Sequence, residues 1–108
     1  MDKATVTYIQ QRILEYARMA TQDRPSETSS EPFKDHGLVF IHQPSFRLWI
    51  GETYHFYLSQ NQAIIALAQL RAQPRLLNFH NKRGRKVYGI NVEVGADEQA
   101  IQLKIARS

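Results

Sequence analysis

The chain predicts an α+β domain: a curved, mainly antiparallel sheet of five to six short strands, one helix packed on it, and an N-terminal amphipathic helix on a flexible linker. Three observations predict it. Apolar residues near the N-terminus recur every three to four positions, the spacing of one helix face. Later apolar runs are short and bounded by Gly, Pro, Asn or Ser, as strands are. Between them, Ser59-Gln60-Asn61-Gln62 has the form of a helix capping box.

Val6, Ile9, Ile13, Tyr16, Ala17 and Ala20 form the first stripe. They predict a helix from about Thr5 to Thr21, with Asp2 or Thr5 able to cap it. The segment from Gln22 to Pro32 is polar and bracketed by Pro25 and Pro32, with little to bury, and reads as a linker. The chain therefore divides into a helix over residues 1–21, a polar linker over 22–36 and an α+β core over 37–108.

Within the core, Leu38-Val39-Phe40-Ile41 reads as a strand and Gln43-Pro44-Ser45 as a turn. Phe46 to Ile50 and Thr53 to Leu58 read as a hairpin around Gly51-Glu52, a pair suited to a type II′ turn. That pairing sets Arg47 opposite Phe56 and Trp49 opposite Tyr54, an aromatic–Arg sheet face able to hold a partner. A helix follows from Ser59 to about Ala72, buried through Ile64, Leu67, Ala68 and Leu70 and ended by Pro74. Strands are expected at Leu76–His80, Lys86–Val94 and Ala100–Ala106, the last two joined by a turn at Gly95-Ala96-Asp97-Glu98. Both sheet faces come out substantially apolar, so cover on each side, and a homodimer, are expected.

With 108 residues the chain is one domain at most, and 43% hydrophobic residues suit a folded core rather than disorder. The absence of cysteine excludes disulfides, zinc–thiolate sites and thiol catalysis. The N-terminal residues carry scattered charges and no apolar core segment, so they do not read as a secretory leader, and a cytoplasmic setting is expected. No stretch reaches the roughly 18 apolar residues of a membrane span.

Function is most legible in charge. From Thr53 through Val92 there is no Asp or Glu, while Arg71, Arg75, Lys82, Arg83, Arg85 and Lys86 all lie inside that window. Asn81-Lys82-Arg83-Gly84 suits a three-residue hairpin loop, with cations at its apex and just below. No carboxylate nearby in sequence cancels their field, which implies phosphate contacts, with Asn78 and His80 placed to meet sugar or base edges. The expected function is a non-enzymatic nucleic-acid-binding protein. The alternative is a protein-interaction or adaptor module using Arg47, Trp49, Tyr54 and Phe56, or an acidic protein meeting the basic tip. A small nuclease, with His55 or His80 as base and Arg83 or Arg85 steadying a phosphate, ranks third.

Other chemistry is poorly supplied. His36, His42, His55 and His80 lack metal-ligand spacing, and Ser45 and Ser59 do not stand in a nucleophile elbow. Lys86 to Val92 lacks the first glycine and second stacking aromatic of the RNA-recognition consensus. No cofactor and no metal are expected.

Overall fold

The computed structural model describes residues 2–79 and 84–92. Their elements are α1 (Lys3–Arg18), β1 (Phe33–Asp35), β2 (Leu38–Ile41), α2 (Gln43–Tyr54), α3 (Gln60–Gln69), β3 (Gln73–Leu77) and β4 (Arg85–Ile90). The strands form one antiparallel sheet in the order β1-β2-β4-β3. The α+β class stands, but among the described residues there are three helices and four strands rather than one packed helix and five or six strands. The expected strand at Ala100–Ala106 and its preceding turn lie outside the described residues.

Helix α1 follows the sequence stripe closely. Asp2 caps it, its Oδ1 accepting from the Thr5 amide at 2.7 Å, and Val6, Ile9, Ile13, Tyr16, Ala17 and Ala20 are all buried. The helix lies on β2 and against α2 and α3, sharing one core with Val39, Ile41 and Ile90 of the sheet.

The largest correction falls on Gln43–Tyr54, which is a helix and not the predicted turn and hairpin. The short apolar run fits either period. Pro44 decides in favour of a helix, since in the first turn its missing N–H costs nothing and its φ is already helical. Gln43, Phe46, Ile50 and Gly51 are then buried on one side. Gly51 is no turn residue: a Cβ there would stand 3.3 Å from the Tyr57 ring, so the glycine lets that ring lie against the helix. The C-cap is His55, in the left-handed region at φ 53°.

The capping box at Ser59 is present. Ser59 Oγ accepts from the Gln62 amide at 3.2 Å, and Gln62 Oε1 accepts from the Ser59 amide at 2.9 Å. Helix α3 buries Ala63, Ala66 and Leu67, whereas Ile64 and Leu70 are half-buried and Ala68 is exposed. Packing against α1 turns the helix by part of a turn from the sequence expectation. It ends before Pro74, through a Schellman motif: the Ala72 amide donates to Leu67 O and the Arg71 amide to Ala68 O, both at 3.0 Å. Arg71 takes the left-handed position usually given to glycine, at φ 57°. The chain therefore turns early, and β3 begins at Gln73 rather than Leu76. Pro74 is tolerated there because β3 is an edge strand among the described residues.

Strand β1 arises in the stretch read as linker. Asp35 pairs with Leu38 across His36 and Gly37, whose φ values of 51° and 79° fit a type I′ hairpin turn. Upstream, Gln22 bridges to Phe33, its carbonyl accepting from the Lys34 amide at 2.8 Å, and Pro32 is buried. The polar segment thus lies against the sheet as a strap.

Two layers of side chains result. The helices cover the face carrying Val39, Ile41, Tyr88 and Ile90; the opposite face carries Phe33, Phe40 and Val87, flanked by Leu38 and Leu77. Gly89 lies directly against Phe40, where a Cβ would stand 2.7 Å from the ring.

Candidate nucleic-acid interface

Strand alternation decides where the cations go. In the β3–β4 ladder Arg75 pairs with Val87 and Leu77 with Arg85, which puts both arginines on the face away from the helices. Lys86 falls on the helix side with Tyr88. The run Arg85-Lys86 is therefore split between two faces. Lys82, Arg83 and His80, with most of the predicted hairpin loop, lie outside the described residues.

Arg85 is occupied. Its Nη1 donates to Ser26 O at 2.8 Å and Ser29 O at 2.9 Å, and its Nη2 to Glu27 O at 3.4 Å. The guanidinium also stands 5.1 Å from the Phe79 ring centroid. Arg85 thereby latches the strap onto the sheet.

Arg75 is occupied as well. It stacks 4.1 Å over the Phe40 ring and its Nη1 lies 2.6 Å from Asp35 Oδ2. The hydrogen bond from Arg75 holds the Asp35 carboxyl below its ordinary range, and His36 adds a contact at 2.7 Å. A window free of acids in sequence is therefore not free of them in space, because β1 brings Asp35 across the sheet. Arg71 stands exposed before β3, at the opposite end of that strand from Leu76, the partner of Lys86. Asn78 is exposed too, its Oδ1 3.1 Å from where a Gly84 Cβ would sit.

The helix-side face holds what sequence reading missed. A cleft of about 460 Å³ opens between the starts of α2 and α3 and strand β4. His42, Gln43, Pro44, Gln60, Ile64, Gly84, Arg85, Lys86 and Tyr88 line it, with no carboxylate among them. Lys86 is exposed and its Nζ lies 5.7 Å from the Tyr88 ring centroid. His42 Nδ1 is 2.7 Å from Ser45 Oγ. Burial, with the Arg85 charge second, pushes the His42 imidazole below its ordinary value, so it is neutral at neutral pH. Only the alternation Lys86–Tyr88 was available as a sequence signal. The other walls come from segments distant along the chain, brought together by α2 being a helix.

Arg47, Trp49, Tyr54 and Phe56 do not share a sheet face, since no hairpin exists there. Arg47 donates to Leu58 O at 3.2 Å and to Gln43 Oε1 at 3.1 Å. Trp49 packs on Tyr16 at 5.1 Å between ring centroids, and Phe56 on Tyr8 at the same separation. Tyr54 Oη donates to the Glu15 carboxylate, 2.6 Å from its nearer oxygen, and Arg12 stands 4.9 Å over the Tyr54 ring. That hydrogen bond pushes the Tyr54 phenol above its ordinary value. Trp49 and Tyr54 thus join α1 to α2, Phe56 joins α1 to the segment after α2, and Arg47 ties α2 to Leu58.

Among the described residues no three His, Cys, Asp or Glu side chains gather as a metal site would, and no helix is long and apolar enough to cross a membrane. Compared with known proteins, the chain matches no family model, no curated protein and no solved structure.

Proposed function

We propose that this protein binds nucleic acid through its phosphate backbone, on the helix-side flank where Lys86 borders the cleft. The observation that carries the reading is the wall of that cleft, where among the described residues a lysine, a histidine and two glutamines stand with no carboxylate, the Arg85 guanidinium being held by the strap. The amide ends of α2 and α3 open onto it, adding partial positive charge where Gln43, Pro44 and Gln60 stand. The sequence adds Lys82 and Arg83 between β3 and β4. Arg75 and Arg85 serve the fold in this reading. Contacts of this kind confer affinity without sequence preference.

The test is a salt titration of oligonucleotide binding, with Lys82, Arg83 and Lys86 together replaced by Ala. Each phosphate contact removed should flatten the logarithmic salt slope by about one, so the triple variant should lose about two to three. Mass measured in the same buffers shows whether one copy or two contribute. Absence of binding at low salt, or an unchanged slope, overturns the proposal.

A protein-interaction role draws support from a different surface. Leu48 and Tyr57 are 64% and 83% exposed, and Tyr57 lies against Gly51, one turn beyond Leu48 on α2. Retention of a protein partner that is lost in Leu48→Ser would favour that role.

A further inference from the structure

We infer that the cleft receives an unpaired nucleobase, so that the preferred ligand is a single strand. This inference rests on the nucleic-acid reading above and names its substrate class. Along β4 the helix-side positions are Lys86, Tyr88 and Ile90, and Gly84 stands just before the strand. Exposure falls from Gly84 to Ile90: Gly84 and Lys86 are open, Tyr88 is half-buried and Ile90 is in the core. The Lys86 ammonium lies 5.7 Å from the Tyr88 ring centroid, so a cation and an aromatic ring follow one another at nucleotide scale, with Ile90 in the core beyond them. That is the order in which a nucleotide presents phosphate and base.

The remaining walls fit the same occupant. Ile64 and Pro44 are apolar, Gln60 carries an exposed amide that can donate and accept, and Gln43, its Oε1 accepting from Arg47, keeps an Nε2 donor. His42 holds Ser45 through Nδ1, which leaves Nε2 as its remaining hydrogen-bonding atom. Neutral, it can serve as donor or acceptor to a base edge and adds no second charge. A volume of about 460 Å³ suits a small-molecule-sized group. A base paired within a duplex cannot enter such a cleft without leaving its stack, and that costs a few kcal/mol. A base already unpaired enters without that cost. Gly84 contributes by being small. A Cβ there would stand 2.9 Å from Leu76 Cδ1, so any larger residue would have to push the exposed Leu76 side chain aside.

The experiment compares binding of a labelled single-stranded oligonucleotide with its duplex of equal length, at one fixed salt concentration. The full chain is used, alongside Tyr88→Leu and Tyr88→Phe. The single strand should bind more tightly. Tyr88→Leu should weaken it about 5- to 150-fold, the range for losing one stacked base, and leave duplex binding unchanged. Tyr88→Phe should bind like the parent, since the ring and not the hydroxyl is used. Equal or tighter duplex binding overturns the inference while leaving the backbone-binding proposal standing. So does a loss in Tyr88→Phe as large as in Tyr88→Leu. Retention of neither strand at low salt overturns both. Should Tyr88→Leu not fold, photocrosslinking of a 5-iodouracil single strand to the unaltered protein decides the matter. Attachment at Tyr88 supports the inference, and attachment confined to other residues overturns it.

Discussion

Replacing Arg85 by Ala should release the strap and leave the core intact. The guanidinium makes two good hydrogen bonds, at 2.8 and 2.9 Å, to Ser26 O and Ser29 O; the third, at 3.4 Å to Glu27 O, is near the limit and counts for little. A hydrogen bond from a charged donor contributes about 1.5–3 kcal/mol, and partial exposure places these two at the low end, about 3 kcal/mol together. Freeing the arginine side chain returns about 1 kcal/mol of rotamer entropy. The net loss of about 2 kcal/mol corresponds to roughly a 30-fold larger opening constant for the strap, at 1.4 kcal/mol per decade. Native-state hydrogen exchange reads this directly. The amides of Thr28 and Ser29, held by Ser26 Oγ at 3.2 Å, should exchange about 30-fold faster. The Lys34 amide, anchored separately on Gln22 O, should change less. Cleavage after Glu27 or Glu31 by a glutamyl endoproteinase should accelerate in parallel. Arg85→Lys, with one donor able to reach one carbonyl, should fall between. Strap amides that exchange at the parental rate would refute the reasoning. So would equal acceleration at Ile41 and Val87, which would make Arg85 a support of the whole fold. A salt slope of oligonucleotide binding that drops in Arg85→Ala would show that the guanidinium meets phosphate instead.

Two further outcomes follow from the packing and the cleft. Gly89→Ala places a Cβ 2.7–2.8 Å from the ring of Phe40, which is fully buried, and 3.1 Å from Leu38. Overpacking costs about 1–3 kcal/mol, partly offset by the lost flexibility of glycine, so Tm should fall by about 5–10 °C in a circular-dichroism melt; an unchanged Tm would contradict the close approach. His42 titrates below its ordinary value in the fold, so the unfolded chain takes up its proton first as pH falls. The stability it contributes is present above about pH 6.5 and is lost on acidification from there toward its folded pKa. Urea midpoints should therefore decline from pH 7.5 to 5.5, less so in His42→Asn, and a midpoint that rises on acidification would reverse the sign.

Helix α1 and the start of α3 were legible because their signals are local: an Asp cap with a clean stripe, and a capping box closed by Gln62. The segment Gln43–Tyr54 misled because a run such as Phe46-Arg47-Leu48-Trp49-Ile50 is apolar on too many sides to show its period, and Gly51 looked like a turn. Its glycine answers to Tyr57, a packing partner that local pattern does not reveal. Strand β1 was hidden for a similar reason: Phe33-Lys34-Asp35 is too short to announce itself, and only the His36-Gly37 pair marks its turn. The cations were counted correctly as a sequence group. Their separation onto two faces follows from strand parity, but their occupation by Asp35 and by the strap depends on contacts across the sheet. The cleft was the least legible feature, since its walls come from three separated segments.

The strand order carries a consequence for the speed of folding. The pairs β1–β2 and β3–β4 are each local ladders, and α2 and α3 lie between them in the chain. What joins the two halves is the ladder in which Val39, Phe40 and Ile41 meet Ile90, Gly89 and Tyr88. Closing that seam brings together residues far apart in the chain, and loop-closure entropy must be overcome before the contacts repay it. The two hairpins can form and reform quickly on their own, so the barrier belongs to the seam. Substitutions at Phe40 or Gly89 should therefore slow folding itself, whereas those at the strap should appear only as faster local opening.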